Sequence, residues 1–191
     1  LIDGMIDLPD PLRSNILHYL GTTFPERYDR RPELVSGEHN LTFLEWRVPT
    51  LGQRPRDPLM TPDGMIYWAG MYGHMIGRLN PETGEMKEWQ LEQGAYPHSI
   101  IDDAEGNIWY TGNGNGTVGK LDPDTGEITV YPMPDPDALD PHTGIITRSG
   151  DYWFSLQNSN MIGRLVPDTG EIRLMDTPEP NAQPYGLEED S

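Results

Sequence analysis

From about residue 41 onward, short apolar runs alternate with clusters of Gly, Pro, Asn and Asp, the rhythm of strands joined by tight turns. The earlier pattern is helical. Asp10 and Pro11 read as an N-cap and a first-turn proline, and Leu12, Ile16, Leu17 and Leu20 fall on one face at helical spacing. Gly21 is expected to stop that helix. Thr22 to Gly37 reads as a polar linker punctuated by Pro25 and Pro32, with Arg27, Arg30 and Arg31 as a solvated basic cluster.

The strand region repeats itself. Ile76 to Leu79 runs into Pro81 to Glu85, Val118 to Leu121 into Pro123 to Glu127, and Ile162 to Leu165 into Pro167 to Glu171, with starts 42 and 44 residues apart. A period of that length marks one supersecondary unit that buries its apolar face only by stacking on its neighbours. In the middle copy Ser99 to Asp102, Ile108 to Thr111, Thr117 to Leu121 and Glu127 to Pro132 read as successive strands. Turns at Ala104 to Asn107, Asn113 to Gly116 and Asp122 to Gly126 separate them. Four antiparallel strands per period of roughly 40–45 residues predict the blade of a β-propeller.

Pro55-Arg56, Pro97-His98, Pro141-His142 and Pro184-Tyr185 open successive blades at spacings of 42, 44 and 43. Tyr67-Trp68, Trp109-Tyr110 and Trp153-Phe154 fill the second strands, where paired aromatics predict packing between blades. Gly77, Gly119 and Gly163 interrupt the third strands, where a missing side chain is expected to let the adjacent blade approach. The expected fold is therefore all-β: a partial propeller of about three and a half blades, preceded by a short helical segment. Residues 1–38 form the helical segment and linker, and 39–191 the propeller. Leu41 to Val48 supplies a last strand only, and Gln183 to Ser191 a first strand only. Because closure takes about four to eight blades, further blades are expected from a longer parent chain or another chain.

Composition narrows the function. The net charge is −18, from 13 basic and 31 acidic residues, so neutralisation of nucleic-acid phosphates is excluded and anionic membrane surfaces are disfavoured. No apolar run is long enough to insert in a bilayer. The chain has no cysteine, which removes disulfides, thiolate metal sites and a cysteine nucleophile. Asn113 to Gly116 is glycine-rich but neither follows the phosphate-loop pattern nor opens a helix.

The blade formula, Pro-His, then Gly-Asn-x-Trp, then Ile-Gly-Arg-Leu-x-Pro-x-Thr-Gly-Glu, resembles the virginiamycin B lyase (streptogramin lyase) family across residues 41–191. The resemblance implies a seven-bladed propeller and a periplasmic or secreted location. Met5-Ile6-x-Leu8-Pro9, Ile16-x-x-Tyr19-Leu20 and Phe24-Pro25 are similar to the tail of a small cytochrome c domain that precedes such propellers in some bacterial proteins. That similarity implies haem c in the parent protein, attached upstream of Leu1, with Met5 as a candidate axial ligand.

For activity, the resemblance implies elimination at an ester-bearing residue of a cyclic depsipeptide. One histidine abstracts a proton, a second assists, and a glutamate holds Mg2+. His98 and His142 occupy the matching positions in adjacent blades and are the candidate catalytic pair. The family's glutamate follows its histidine by 14 residues, and here those positions are Gly112 and Leu156. No metal ligand is therefore assigned. Asn113 and Gln157, one residue further on, hydrogen-bond but cannot replace an anionic ligand.

With Arg56 and Tyr185 in the same blade position, Arg56, His98, His142 and Tyr185, joined by Asn113 and Gln157, are expected to line a funnel for a small polar or anionic ligand. A ligand-binding propeller is the first reading, and a streptogramin-type lyase needing Mg2+ the second. A calcium-dependent lactone hydrolase is the third, with no acid at the blade starts to hold the ion. No cofactor is assigned to the segment itself.

Overall fold

The computed structural model describes residues 10–23, 37 and 42–190. The chain divides into two compact units, Leu1–Leu44 and Glu45–Ser191. In the first, helix α1 spans Asp10–Thr23, past Gly21, which does not end it. The Thr22 hydroxyl donates back to the carbonyls of His18 and Tyr19, one turn earlier in the helix. Ile16 and Leu20 are half-buried, whereas Leu12 and Leu17 are exposed. Among the described residues no helix is long and apolar enough to cross a membrane.

The second unit holds three four-stranded antiparallel sheets, each a blade in chain order. Strands β1 (Pro55–Met60), β2 (Ile66–Gly70), β3 (Met75–Leu79) and β4 (Met86–Gln90) form the first. The second comprises β5 (Pro97–Asp102), β6 (Ile108–Gly112), β7 (Thr117–Leu121) and β8 (Ile128–Pro132). The third comprises β9 (Pro141–Ile146), β10 (Tyr152–Leu156), β11 (Met161–Val166) and β12 (Glu171–Asp176). Strand β1 adjoins β5, and β5 adjoins β9, so the first strands form the shared inner edge.

The repeated line of sequence has a local cause in its turn. Asn80 Oδ1 accepts from the backbone N–H groups of Glu82 and Thr83, and Thr83 Oγ1 from that of Glu85. Asp122 and Thr125 repeat the arrangement with Asp124, Thr125 and Glu127. In the first two blades the Asn or Asp before Pro-x-Thr-Gly-Glu thus supplies the turn's acceptor between third and fourth strands; in the third, where Val166 stands, the hydrogen bond from the Glu171 N–H to Thr169 is kept.

The second-strand aromatics divide their labour by strand alternation. Tyr67 of the first blade shares a buried cluster with Ile100, Ile108 and Tyr110 of the second, and Trp109 of the second shares one with Tyr152 and Phe154 of the third. Trp68, Tyr110 and Phe154 point the other way and lie over Gly77, Gly119 and Gly163, their partners on the adjacent strand. A methyl group at those glycines would sit 2.0, 2.2 and 2.2 Å from the rings. This corrects the sequence expectation for the glycines: the close approach they permit is made within each blade, by its own aromatic ring. The basic residue after each glycine lies over an aromatic face, Arg78 on Trp89, Lys120 on Trp109 and Arg164 on Trp153.

The flanking half-blades differ from expectation in one respect. Neither 42–48 nor 184–190 is a ladder strand, because no neighbouring strand pairs with it among the described residues. Both nevertheless take the repeat's positions. Trp46 lies over Gly84 as Trp89 lies over Gly126 and Tyr131 over Gly170, with ring atoms 3.3, 3.4 and 3.3 Å from where a methyl would be.

Candidate functional site

Each blade enters its inner strand through a strained residue followed by proline. Arg54, Tyr96, Asp140 and Gln183 have φ of 52, 44, 55 and 48°, a left-handed conformation that non-glycine residues adopt sparingly. The following proline disfavours the right-handed helical alternative. The next residue after each proline is then Arg56, His98, His142 or Tyr185.

Three of these side chains form a row. The His98 and His142 ring centroids are 3.8 Å apart and those of His142 and Tyr185 4.3 Å. His98 and His142 are buried, at 6% and 7% exposure, and Tyr185 is exposed. A hydroxyl on the second strand sets the spacing. Thr111 Oγ1 accepts from the Ser99 N–H of its own blade and donates to the His142 carbonyl of the next, at 3.0 and 2.9 Å. Ser155 Oγ repeats this with the Thr143 N–H and the Tyr185 carbonyl, at 3.2 and 2.8 Å. Tyr185 is thereby held in the place that His142 occupies one blade earlier. Ala69 stands at the corresponding site in the first blade, which lacks this link.

Burial holds the His98 imidazole well below its ordinary range, at about 4, and the neighbouring His142 and the guanidinium groups of Arg56 and Arg54 act in the same direction. His142 is also lowered, first by burial and then by Arg56, against opposing pulls from Asp140 and Asp57. Both rings are neutral at pH 7. His142 Nδ1 contacts Thr143 Oγ1 at 3.0 Å, while the buried His98 Nδ1 has no hydrogen-bond partner.

Arg56 is half-buried beside this row, its Nη1 donating to Met71 Sδ at 3.4 Å. Asn113 lies at the turn after β6, its amide donating to the Pro141 carbonyl at 3.3 Å. Gln157 is half-buried at the matching turn after β10. Met5 lies outside the described residues. The sequence reading missed Arg54 and the Thr111 and Ser155 hydroxyls. A hydroxyl at equal repeat positions was the available signal for the last two.

Other clefts lie away from this row. Two, of about 700 and 800 Å3, sit between blades around the first hairpins and are lined by Asp103, Glu105, Asn107 and other turn residues. None of the blade-start residues lines them. The residues present do not fit Mg2+: among the described residues no three His, Cys, Asp or Glu side chains gather into a metal cage. Gly112 and Leu156 stand where the resemblance would require a carboxylate.

The model of the virginiamycin B lyase family matches residues 36–191. A streptogramin B lyase structure is 32% identical with a TM-score of 0.66, covering 75% of this chain and 47% of its own. A catalytically inactive histidine-to-alanine variant of Staphylococcus aureus virginiamycin B lyase, crystallised with quinupristin, is 30% identical with a TM-score of 0.66, covering 72% of this chain and 46% of its own. Kuenenia stuttgartiensis hydrazine synthase, 17% identical with a TM-score of 0.60 over 76% of this chain and 40% of its own, shares the fold alone. No curated protein sequence matches. The chain spans about half the length of the lyase structures it resembles. With the repeat, the blades and the match in agreement, the chain belongs to the virginiamycin B lyase family.

Proposed function

We propose that the inner edge of these blades binds a small polar or anionic ligand against Arg56, His98, His142 and Tyr185. The observation that carries this reading is the continuous row of rings from His98 through His142 to Tyr185. Neutral imidazoles there present a hydrogen-bond acceptor and a donor each, and Arg56 adds a fixed positive charge beside them. Asn113 and Gln157 border the same edge at the turns after β6 and β10.

A second reading, elimination of the streptogramin B lyase type, is favoured by the protonation state of the pair. A base must be unprotonated at working pH and yet basic enough to take a proton. His142, the ring with acidic neighbours in Asp140 and Asp57, suits the base. His98, held at about 4, suits a neutral hydrogen-bonding partner. No step is assigned to a metal, since among the described residues no three His, Cys, Asp or Glu side chains gather to hold one.

One experiment separates the readings. The protein is mixed with quinupristin in a buffer containing Mg2+, with ring opening followed by mass spectrometry and the His98 and His142 imidazole signals by NMR. Saturable imidazole shifts without ring opening are the result expected for a binding site. Ring opening abolished by His142→Ala would establish elimination, and unmoved imidazole signals with no turnover would remove quinupristin-like depsipeptides from both readings.

A further inference from the structure

Among the described residues, two guanidinium groups at the start of the first blade, those of Arg54 and Arg56, have no carboxylate in ion-pair contact. The chain has a net charge of −18, and among the described residues ion pairs join Arg148 to Glu189, Arg164 to Asp151 and Arg173 to Glu171. Among the described residues neither Arg54 nor Arg56 pairs with a carboxylate. Their Nη1 atoms turn instead to the same atom, Met71 Sδ, at 3.7 and 3.4 Å. A thioether is a weak acceptor, so two guanidinium groups converge with their donor capacity largely unused.

The surroundings of this pair are aromatic and open. Arg54 Nη1 also donates to the Tyr72 hydroxyl at 2.8 Å, with the guanidinium 5.0 Å from the Tyr72 ring centre. Tyr72 meets Tyr96 edge to face at 6.2 Å, and the two rings are 55% and 38% exposed. His74 props Tyr96 from behind: its ring lies 4.4 Å away, and its Nδ1 accepts the Tyr96 backbone N–H at 3.2 Å. Exposed rings braced in this way form a fixed apolar wall next to a cationic fork. Asp57, the next residue after Arg56, opposes a doubly charged anion.

We propose that Arg54, Arg56 and Met71, walled by Tyr72 and Tyr96, form a subsite for a single carboxylate carried on an aromatic body. The inference rests on the ligand-binding reading of the His98–His142–Tyr185 row and places the ligand's anionic end at the first blade. Planar guanidinium groups match a carboxylate bidentately, the Met71 methyl and the tyrosines receive the apolar body, and the weak sulfur contacts are replaced by charged ones.

The test uses the whole chain labelled with 13C at the methionine methyls, with the Met71 signal identified through Met71→Leu. N-Acetylphenylalanine is expected to move that signal saturably. Its neutral amide, inorganic phosphate and acetate should do so weakly or not at all. Arg54→Gln with Arg56→Gln should weaken N-acetylphenylalanine binding by about tenfold or more, the other methionine signals showing that the fold is intact. Equal binding of the amide, of phosphate or of acetate, or undiminished binding by the double variant, would overturn the subsite. Imidazole shifts at His98 and His142 without a Met71 shift would overturn it while sparing the ring row. A Met71 shift without imidazole shifts would support the subsite and sever it from the row.

Discussion

In the third blade Gly144 stands where the second has Ile100, and Tyr152 stands where it has Ile108. The exchange conserves filled space: the Tyr152 hydroxyl and ring atoms lie 2.2 to 2.5 Å from where a Gly144 methyl would be. Tyr152 is fully buried, its hydroxyl has no hydrogen-bond partner, and burial pushes its ionisation far above the ordinary phenol range. An unsatisfied buried hydroxyl costs about 1–3 kcal/mol. Tyr152→Phe keeps the ring and removes that group, so it is expected to stabilise the protein by about 1 kcal/mol, read as a higher urea midpoint. A lower midpoint would show that the hydroxyl has a partner or that its volume matters more. The residue pair is individually legible in the sequence, but the compensation between them is not, because no local rule links a glycine in one strand to a tyrosine in the next.

Among the elements, the four-strand blades were legible because two independent signals agree in register. Apolar alternation gives the strands, and self-bonded Pro-x-Thr-Gly-Glu turns fix where they end. The half-blades at 42–48 and 184–190 were legible as repeat positions but not as secondary structure, since a ladder needs a second strand to pair with. How blades join was only half legible. Aromatic pairs announced the packing, whereas the Thr111 and Ser155 hydroxyls that hook one blade to the backbone of the next looked like ordinary strand residues. Thr111→Val keeps the shape but leaves the buried Ser99 N–H and His142 carbonyl without that partner, and is expected to cost about 1–3 kcal/mol. Thr111→Ser should retain most of the stability. Denaturation midpoints that place Val level with wild type and Ser below it would mean that the methyl, not the hydroxyl, does the joining.

For the molecule as a whole, repetition turns a sequence position into a place. Because each blade begins with the same Pro-x pair, Arg56, His98, His142 and Tyr185 recur at one point of the unit, and the stacked blades bring the three rings together along the inner edge. That much of the site was readable from spacing alone. The cationic corner was not: Met71 lies in a short 3-10 turn, Met71–Gly73, peculiar to the first blade, so no repeat register points Arg54 and Arg56 at its sulfur. The turns between third and fourth strands carry acids such as Glu82, Glu85, Asp122 and Asp124, whereas Arg54 and Arg56 stand at the inner edge beside Asp57. Depressed imidazole ionisation has a consequence for pH. Between the unfolded-state value near 6.5 and the folded-state value of about 4 for His98, the unfolded chain binds more protons. The stability contributed by keeping this ring neutral is thus present at neutral pH and lost as pH falls through that window.

The row of neutral imidazoles is tested most directly by following the His98 and His142 ring signals in 15N-resolved NMR spectra from neutral pH downward, each assigned by its single glutamine variant. Buried, mutually contacting rings beside two arginines should both titrate below 6.5, with His98 near 4. Two independent transitions at about 6.5 would mean solvated, separated side chains, and the candidate site would not exist as described.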